Sequence, residues 1–182
     1  MNENIFREYD IRGVVETDFT PETVTNIAKA LATYLKEKGL SNCVIGFDAR
    51  LTADYLFNTV SKAMMELGID ITSIGECTTP MLYFAQYDLQ ADASVMITGS
   101  HNPSDMNGFK MSTKFASIFG QEIQVLKNTI LDNKFYSKPA DAPVGKLSTI
   151  TVKEKYLNYM KENITMGDKK IKIVVDGGNG TG

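Results

Sequence analysis

Short apolar strands alternate with amphipathic helices along most of this 182-residue chain, with connections of only a few residues between them. The pattern predicts helices at 22–38, 53–67, 81–88, 121–133 and 151–164, and strands at 43–47, 69–74, 93–97 and 171–176. Connections this short between strand and helix are typical of βαβ units. We therefore predict an α/β fold, a βαβ-type layered domain with a mostly parallel mixed sheet between helices.

The first predicted helix, at 22–38, carries the clearest local signals. Its apolar residues recur at helical spacing, at Val24, Ile27, Ala28, Leu31, Tyr34 and Leu35. Thr20 is a candidate N-cap, Pro21 fits the first helical position, and Gly39 fits the left-handed residue after the end.

Composition excludes several classes of function. Hydrophobic residues make up 43% and charged residues 23% of the chain, as in a globular protein, and the net charge is −3. Without a basic field, we expect no nucleic-acid partner and no anionic membrane partner. Cys43 and Cys77 form no CxxC or Cys/His set, which favours two reduced thiols. The N-terminus is polar and no apolar run has transmembrane length, so we predict a cytoplasmic protein.

A change of composition predicts a domain boundary near residue 148. The run 134–148 contains two prolines and a glycine and has no sustained periodicity. We therefore predict one domain at 1–148 and the start of a second, truncated domain at 149–182. The strand at 171–176 is followed only by a glycine-rich run, so we expect an N-terminal piece of a longer protein. Its unpaired edges make self-association through 171–176 possible.

The loop Thr98–Pro103 follows the strand at 93–97 and contains the only histidine, His101, next to Ser100. One interpretation is a turn whose Ser and Asn side chains bond their own backbone. A second is an acyl-transfer nucleophile, which is weak because no GxSxG elbow is present and adjacent residues seldom meet in the required geometry. A third is a serine that carries a phosphoryl group, held by cations.

Several cations are candidates for that third interpretation. Arg12 precedes Gly13 and can present a bidentate fork to phosphate, although an exposed edge strand with scattered charges explains it as well. Arg50 follows the strand at 43–47, where a local pair with Asp48 is the simpler alternative. Because ligands gather at the carboxyl ends of parallel strands, we expect Arg50 and Ser100 to share one site.

Three motifs together resemble the α-D-phosphohexomutase family, in its phosphomannomutase/phosphoglucomutase branch, over essentially the whole chain. They are Phe6–Gly13 (FREYDIRG), Thr98–Pro103 (TGSHNP) with Asn107–Lys110 (NGFK), and Val175–Gly180 (VDGGNG). The resemblance implies phosphorylated Ser100 with His101, Lys110 and Arg12 as catalytic residues, and Tyr9, Arg50 and Asn102 as substrate- or phosphate-binding residues. The implied reaction interconverts hexose 1-phosphate and hexose 6-phosphate through a bisphosphorylated sugar.

The resemblance also implies Mg²⁺ and hexose phosphates as ligands, namely mannose and glucose 1- and 6-phosphates. The family's metal loop, an alternating Asp-Gly-Asp-Gly-Asp-Arg run, is absent from this sequence. Ser100 would supply one metal ligand through its phosphate, with the others outside this chain, so we expect weak or no Mg²⁺ binding and no activity from these residues alone. The alternatives are a non-catalytic phosphosugar-binding module or a phosphoglucosamine mutase; Gly99 mildly favours mannose and glucose phosphates.

Overall fold

The computed structural model describes all 182 residues and contains one central six-stranded sheet. The strands are β1 (Ile11–Val14), β2 (Asn42–Phe47), β3 (Asp70–Glu76), β4 (Ala93–Ile97), β5 (Met106–Thr113) and β6 (Leu147–Thr149). Their order across the sheet is β1-β5-β4-β2-β3-β6. β4, β2, β3 and β6 pair in parallel, whereas β5 is antiparallel to both β4 and β1. The predicted mixed, mostly parallel sheet is confirmed.

Helices cover both faces of this sheet. They are α1 (Val15–Asp18), α2 (Pro21–Glu37), α3 (Ala53–Glu66), α4 (Thr79–Asp88), α5 (Gln121–Leu131) and α6 (Lys153–Asn163), preceded by a 3₁₀ turn at Glu3–Ile5. The larger core lies between the sheet and α2, α3 and α5, and includes Ile27, Ile45, Leu56, Val95 and Leu126. A smaller core under α4 includes Val44, Leu82 and Met96. Alternation along each strand therefore supplies apolar side chains to two layers of helices.

The sequence signals predicted the start of α2 well. Thr20 Oγ1 accepts a hydrogen bond from the Thr23 amide at 3.3 Å, and Pro21 occupies the first turn. Gly39 follows the helix with a φ of +71°, as its sequence position predicted. The buried face contains Val24, Ile27 and Leu31, because their spacing matches the period of the helix.

Strands β5 and β6 were not predicted, and β1 was anticipated only as the edge-strand alternative for the segment around Arg12. In β5, Asn, Gly, Lys and Ser residues interrupt the apolar alternation, and the strand forms because β1 and β4 pair with its two edges. β6 has only three residues, all exposed, and is fixed by its pairing with β3. Both strands form because they pair with strands that are distant in the sequence, and a local sequence pattern does not indicate such pairing.

The predicted strand at 171–176 is not formed. These residues have no regular secondary structure, and Ile171, Ile173, Val174 and Val175 are exposed. The reason is that no neighbouring strand offers hydrogen-bond partners to this stretch of backbone. In contrast, α6 packs on α4 through Phe84, whose ring centroid lies 5.5 Å from that of Tyr156 and 5.2 Å from that of Tyr159. None of the helices combines the length and the hydrophobicity that spanning a lipid bilayer requires.

Candidate active site around the serine loop

The serine loop, residues 98–105, connects β4 to the antiparallel β5. Its base is closed by a hydrogen bond from the Thr98 amide to the Gly108 carbonyl at 3.0 Å. Ser100 and His101 are exposed beyond this point. Because the chain returns directly along β4, residues of β5 lie beside the strand that carries Ser100, with Lys110 opposite Met96.

Bonds within the loop fix its backbone. The Ser100 amide donates to Thr98 Oγ1 at 2.8 Å. Asn102 donates twice to the Gly99 carbonyl, from its amide at 3.0 Å and from Nδ2 at 2.7 Å. Asn102 therefore shapes the loop, as the turn interpretation predicted. Ser100 has a φ of +54°, a left-handed conformation that costs a non-glycine residue about 1–3 kcal/mol and often marks functional sites.

Ser100 and His101 approach each other more closely than we expected for adjacent residues. Ser100 Oγ lies 3.4 Å from His101 Nδ1, at the long limit of a hydrogen bond. No third side chain bonds the other imidazole nitrogen, so the pair lacks the orienting member of a serine–histidine–acid triad. The pair can share a proton but does not form a triad.

Two cations of the site are joined by one carboxylate. Arg12 lies opposite Gly108 in the sheet, and Lys110 is two residues further along β5, on the same face. Asp10, which is 5% exposed, accepts a hydrogen bond from Arg12 Nη2 and lies 3.7 Å from Lys110 Nζ. Sequence reasoning missed Asp10. Its position two residues before Arg12, on the same side of an extended segment, was the available signal.

A second nitrogen of Arg12, Nε, is also distinctive. Arg12 Nε is the one buried side-chain nitrogen or oxygen in the chain without a hydrogen-bond partner. A buried donor without an acceptor is costly, so such atoms are rare in folded proteins. The Arg12 guanidinium therefore bonds Asp10 through Nη2, while its Nε has no hydrogen-bond acceptor.

Arg50 lies at the base of the serine loop, as expected from the strand ends. Its guanidinium donates to the carbonyls of loop residues, and its Nε lies 3.3 Å from Asp48 Oδ2. The same Asp48 oxygen accepts a hydrogen bond from Thr98 Oγ1 at 2.6 Å. The structure therefore brings Arg50 to Ser100, and the local Asp48–Arg50 pair is present as well.

Tyr9 lies beside the cations with its side chain in solvent. It is 72% exposed, and its ring stacks on Phe119 with centroids 6.5 Å apart. Both rings line a cavity of about 270 Å³ together with Lys110, Tyr83, Met111 and Ser117. Phe119 and Tyr83 were not predicted as site residues, because nothing in their local sequence distinguishes them from ordinary surface aromatics. The cavity places an ammonium group beside aromatic surface, which suits a polar ring carrying an anion.

A divalent metal would need ligands that this chain does not gather. No group of three or more His, Cys, Asp or Glu side chains lies close enough to hold a metal ion. Mg²⁺ requires near-octahedral oxygen coordination, and one serine or its phosphate would contribute a single ligand. The residues present therefore do not fit a complete Mg²⁺ site.

Comparison with known proteins agrees with this geometry. The model of the phosphoglucomutase/phosphomannomutase α/β/α domain I matches residues 3–137. A phosphoglucomutase of Neisseria meningitidis serogroup B is 37% identical over an alignment that covers 98% of this chain. A phosphomannomutase/phosphoglucomutase of Pseudomonas aeruginosa is 34% identical over 97% of it. A probable phosphoglucosamine mutase of Thermococcus kodakarensis is 33% identical over 94%.

A solved structure extends the agreement to three dimensions. A phosphoglucomutase/phosphomannomutase family protein from Burkholderia thailandensis superposes with a TM-score of 0.82 at 29% identity, over 90% of this chain and 36% of that one. The chain spans 38% of the length of the Neisseria relative and 37% of the Pseudomonas and Thermococcus relatives. From the matched family model, the sequence relatives and the shared fold, we conclude that this chain belongs to the phosphoglucomutase/phosphomannomutase family.

Proposed function

We propose that this chain carries the phosphoserine of a phosphohexomutase, which interconverts hexose 1-phosphates and hexose 6-phosphates through a bisphosphorylated sugar. The catalytic residues of the proposal are Ser100, His101, Lys110 and Arg12, with Tyr9 and Asn102 as substrate- or phosphate-binding residues. Mannose and glucose phosphates are the proposed substrates, and the proposed location is the cytoplasm. The observation that carries the proposal is an exposed serine on a fixed loop, next to a strand pair that presents two cations.

The arrangement suits phosphoryl transfer for an electrostatic reason. Phosphoserine carries about −1.5 to −2 charges and three acceptor oxygens, so it needs cations and N–H donors nearby. Arg12 and Lys110 supply positive charge from adjacent strands, and the orphan Arg12 Nε is a buried donor without an acceptor. Catalysis of this reaction depends mainly on positioning and charge stabilisation, which fixed cations provide.

The proposed transfer moves a phosphoryl group from Ser100 to the sugar. The free hydroxyl of the hexose phosphate attacks the phosphorus of phosphorylated Ser100, forming a P–O bond to the sugar while the bond to Ser100 Oγ breaks. The proton lost by the attacking hydroxyl passes to Ser100 Oγ, which leaves the phosphorus and becomes the serine hydroxyl. His101, whose Nδ1 lies 3.4 Å from Ser100 Oγ, is the proposed participant in that proton movement. After the sugar bisphosphate turns, its other phosphoryl group returns to Ser100.

Three further features belong to the same proposal. Mg²⁺ is the proposed metal, with phosphorylated Ser100 as one ligand and its other ligands outside these 182 residues. The proposed domain boundary lies at 148, with 149–182 beginning a second domain. Self-association through 171–176 also remains a proposal. Because the metal ligands are missing, we expect the 182-residue chain alone not to convert glucose 1-phosphate into glucose 6-phosphate.

Intact-mass measurement on the protein expressed from its complete reading frame tests the central proposal. Incubation with a hexose bisphosphate should add one phosphoryl group to the wild type and none to Ser100→Ala, and only the wild type should interconvert the monophosphates. The matched control is Ser104→Ala, which alters an exposed serine of the same loop and should leave both results unchanged.

The other outcomes separate the alternatives. Hexose phosphate binding without a phosphoryl adduct on Ser100 would instead favour a non-catalytic phosphosugar-binding module. Faster turnover of glucosamine phosphate than of mannose or glucose phosphate would favour a phosphoglucosamine mutase, the activity named for the Thermococcus relative. Measurable turnover by the 182-residue chain itself would contradict the expected inactivity.

A further inference from the structure

The contacts of Arg50 leave none of its hydrogen-bond donors free. Nη1 donates to the carbonyls of Pro103 and Met106, the latter at 2.9 Å, and Nη2 donates to the carbonyls of Ser100 at 3.1 Å and Asn102 at 2.6 Å. Nε donates to Asp48 Oδ2. A guanidinium has five N–H donors, and each of these contacts takes one. Binding a phosphate oxygen would therefore break an existing bond to the loop.

A second set of bonds continues from Arg50 to the backbone of Ser100. Asp48 Oδ2 accepts from both Arg50 Nε and Thr98 Oγ1. Thr98 Oγ1 in turn accepts from the Ser100 amide at 2.8 Å. Asp48, Arg50 and Thr98, which we call the loop support, thus hold Ser100 by its amide on one side and its carbonyl on the other.

Packing at Gly99 agrees with this arrangement. A Cβ atom at residue 99 would lie 2.5 Å from Arg50 Nε and 2.7 Å from Nη2, well inside van der Waals contact. The guanidinium therefore rests directly against the backbone just before Ser100. This close approach explains a glycine at 99 without reference to the substrate.

We infer that Arg50 is a positioning residue that sets the backbone conformation of the serine loop, and that it does not bind phosphate directly. The inference deepens the proposed function and rests on it where it concerns turnover. A planar guanidinium can reach four carbonyls at once because its donors form a rigid fork. Asp48 acts through Arg50 and Thr98, and its negative charge makes it unsuited to holding a phosphoryl group.

Amide hydrogen exchange on the 182-residue chain tests the inference without any turnover. Arg50→Lys keeps the charge but loses the fork, so the amides of Ser100, Asn102 and Met106 should exchange about tenfold faster, as expected when one hydrogen bond is lost. Amides of the β2 and β4 interior should keep their rates. The control Arg7→Lys, at an exposed residue, should change none of these rates. Unchanged loop exchange in Arg50→Lys would overturn the inference.

A second variant covers the case in which Arg50→Lys does not fold. Asp48→Asn removes the charge that holds Nε while keeping the side-chain shape, and it should also speed exchange at Ser100. In the protein expressed from its complete reading frame, both variants should lower kcat for hexose phosphate conversion at least about tenfold and leave KM within about twofold. Unchanged loop exchange and kcat in Asp48→Asn would contradict the inference. A rise chiefly in KM for Arg50→Lys would indicate that Arg50 binds phosphate and would also overturn it. Absence of turnover in the wild type would refute the proposed function, while the exchange rates would still decide the role of Arg50.

Discussion

The carboxylate of Asp10 lies 3.7 Å from the ammonium of Lys110 while also accepting a hydrogen bond from Arg12. One buried anion therefore holds two cations that come from different strands. Two cationic partners offset the cost of burying the Asp10 carboxylate, which an unpaired buried carboxylate would bear in full. Removal of this anion would leave the charges of Arg12 and Lys110 uncompensated. The short N-terminal segment thus organises the cations on the adjacent strand pair.

We predict that Asp10→Asn lowers the free energy of unfolding by about 1–3 kcal/mol, because it removes the buried negative charge that compensates Arg12 and Lys110. Urea unfolding at neutral pH measures the change. Added inorganic phosphate should recover part of the loss, since an anion can replace the missing carboxylate beside Arg12 and Lys110. Asp141→Asn, at an exposed residue, is the control and should change stability by less than about 0.5 kcal/mol. Equal stability of Asp10→Asn and the control would contradict the prediction.

A second prediction concerns the contact between Gly46 and Cys77. A Cβ atom at residue 46 would overlap Cys77 Sγ and lie 3.2 Å from Ile74 Cγ1, so the site has no room for a methyl group. Gly46→Ala should therefore destabilise the fold by about 1–3 kcal/mol through overpacking. Cys77→Ala removes the overlapping sulfur, so the double variant should lose less than the sum of the two single losses. Strictly additive losses in urea unfolding would show that the sulfur is not the obstacle.

Local sequence patterns predicted the elements whose stability is local and missed those that depend on partners. The helical spacing of Val24, Ile27 and Leu31 and the cap at Thr20 placed α2 within a residue of its ends. β5 was missed because its polar residues hide the alternation and its pairing with β1 and β4 is non-local. In the stretch 171–176, by contrast, the local sequence pattern predicts a strand, but none forms because no neighbouring strand pairs with these residues.

The candidate site shows the same division. Motifs selected Ser100, Arg12 and Lys110 as candidate residues, and the structure places them on the serine loop and the strand pair beside it. They did not reveal that Asp10 joins two of the cations, or that Phe119 lies against Tyr9, because both facts arise from the packing of distant segments. Nor can composition alone distinguish an arginine that binds a ligand from one that binds backbone carbonyls, as at Arg50.

Asp92 gives a prediction for acidic conditions. It accepts hydrogen bonds from the Ser41 amide at 2.9 Å, Asn42 Nδ2 at 3.0 Å and Lys114 Nζ at 2.8 Å. Burial raises the pKa of this carboxyl, but the Lys114 and amide contacts outweigh burial and lower it below its usual value. Ionised Asp92 therefore stabilises the folded state above about pH 4, and this stabilisation is lost as the pH falls through the pKa of Asp92 in the folded state.

The matching variant is Asp92→Asn. It should cost about 1 kcal/mol at pH 7, where the charged hydrogen bonds are intact, and the difference from wild type should shrink toward zero near pH 2. Denaturant unfolding at the two pH values measures this change. Asp132→Asn, which pairs with Lys134 on the exposed surface, should show little difference at either pH. A wild-type advantage that persists undiminished in acid would contradict the assignment.

Because Cys43 and Cys77 are buried, we predict that both thiols react slowly and that the folded state loses stability at alkaline pH. Burial raises the pKa of Cys77 to about 12, and complete burial raises the pKa of Cys43 as well. Since only the thiolate reacts, about one Cys77 side chain in ten thousand is reactive at pH 8. A disulfide reagent such as DTNB should label neither thiol in the native protein and both after unfolding. Rapid labelling of one thiol without denaturant would contradict this burial.

The sign of the pH effect follows from proton binding. Above about pH 9 the unfolded thiols lose their protons while the folded ones keep theirs, so the native state binds more protons and stability falls as pH rises toward 12. The slope contributed by Cys77 approaches about 1.4 kcal/mol per pH unit. Because Tyr34 and Tyr55 also have raised pKa values, the useful quantity is the difference between wild type and Cys77→Ala from pH 8 to pH 10. That difference should narrow with rising pH, since the variant lacks the titrating thiol; a constant difference would mean that Cys77 ionises alike in the folded and unfolded states.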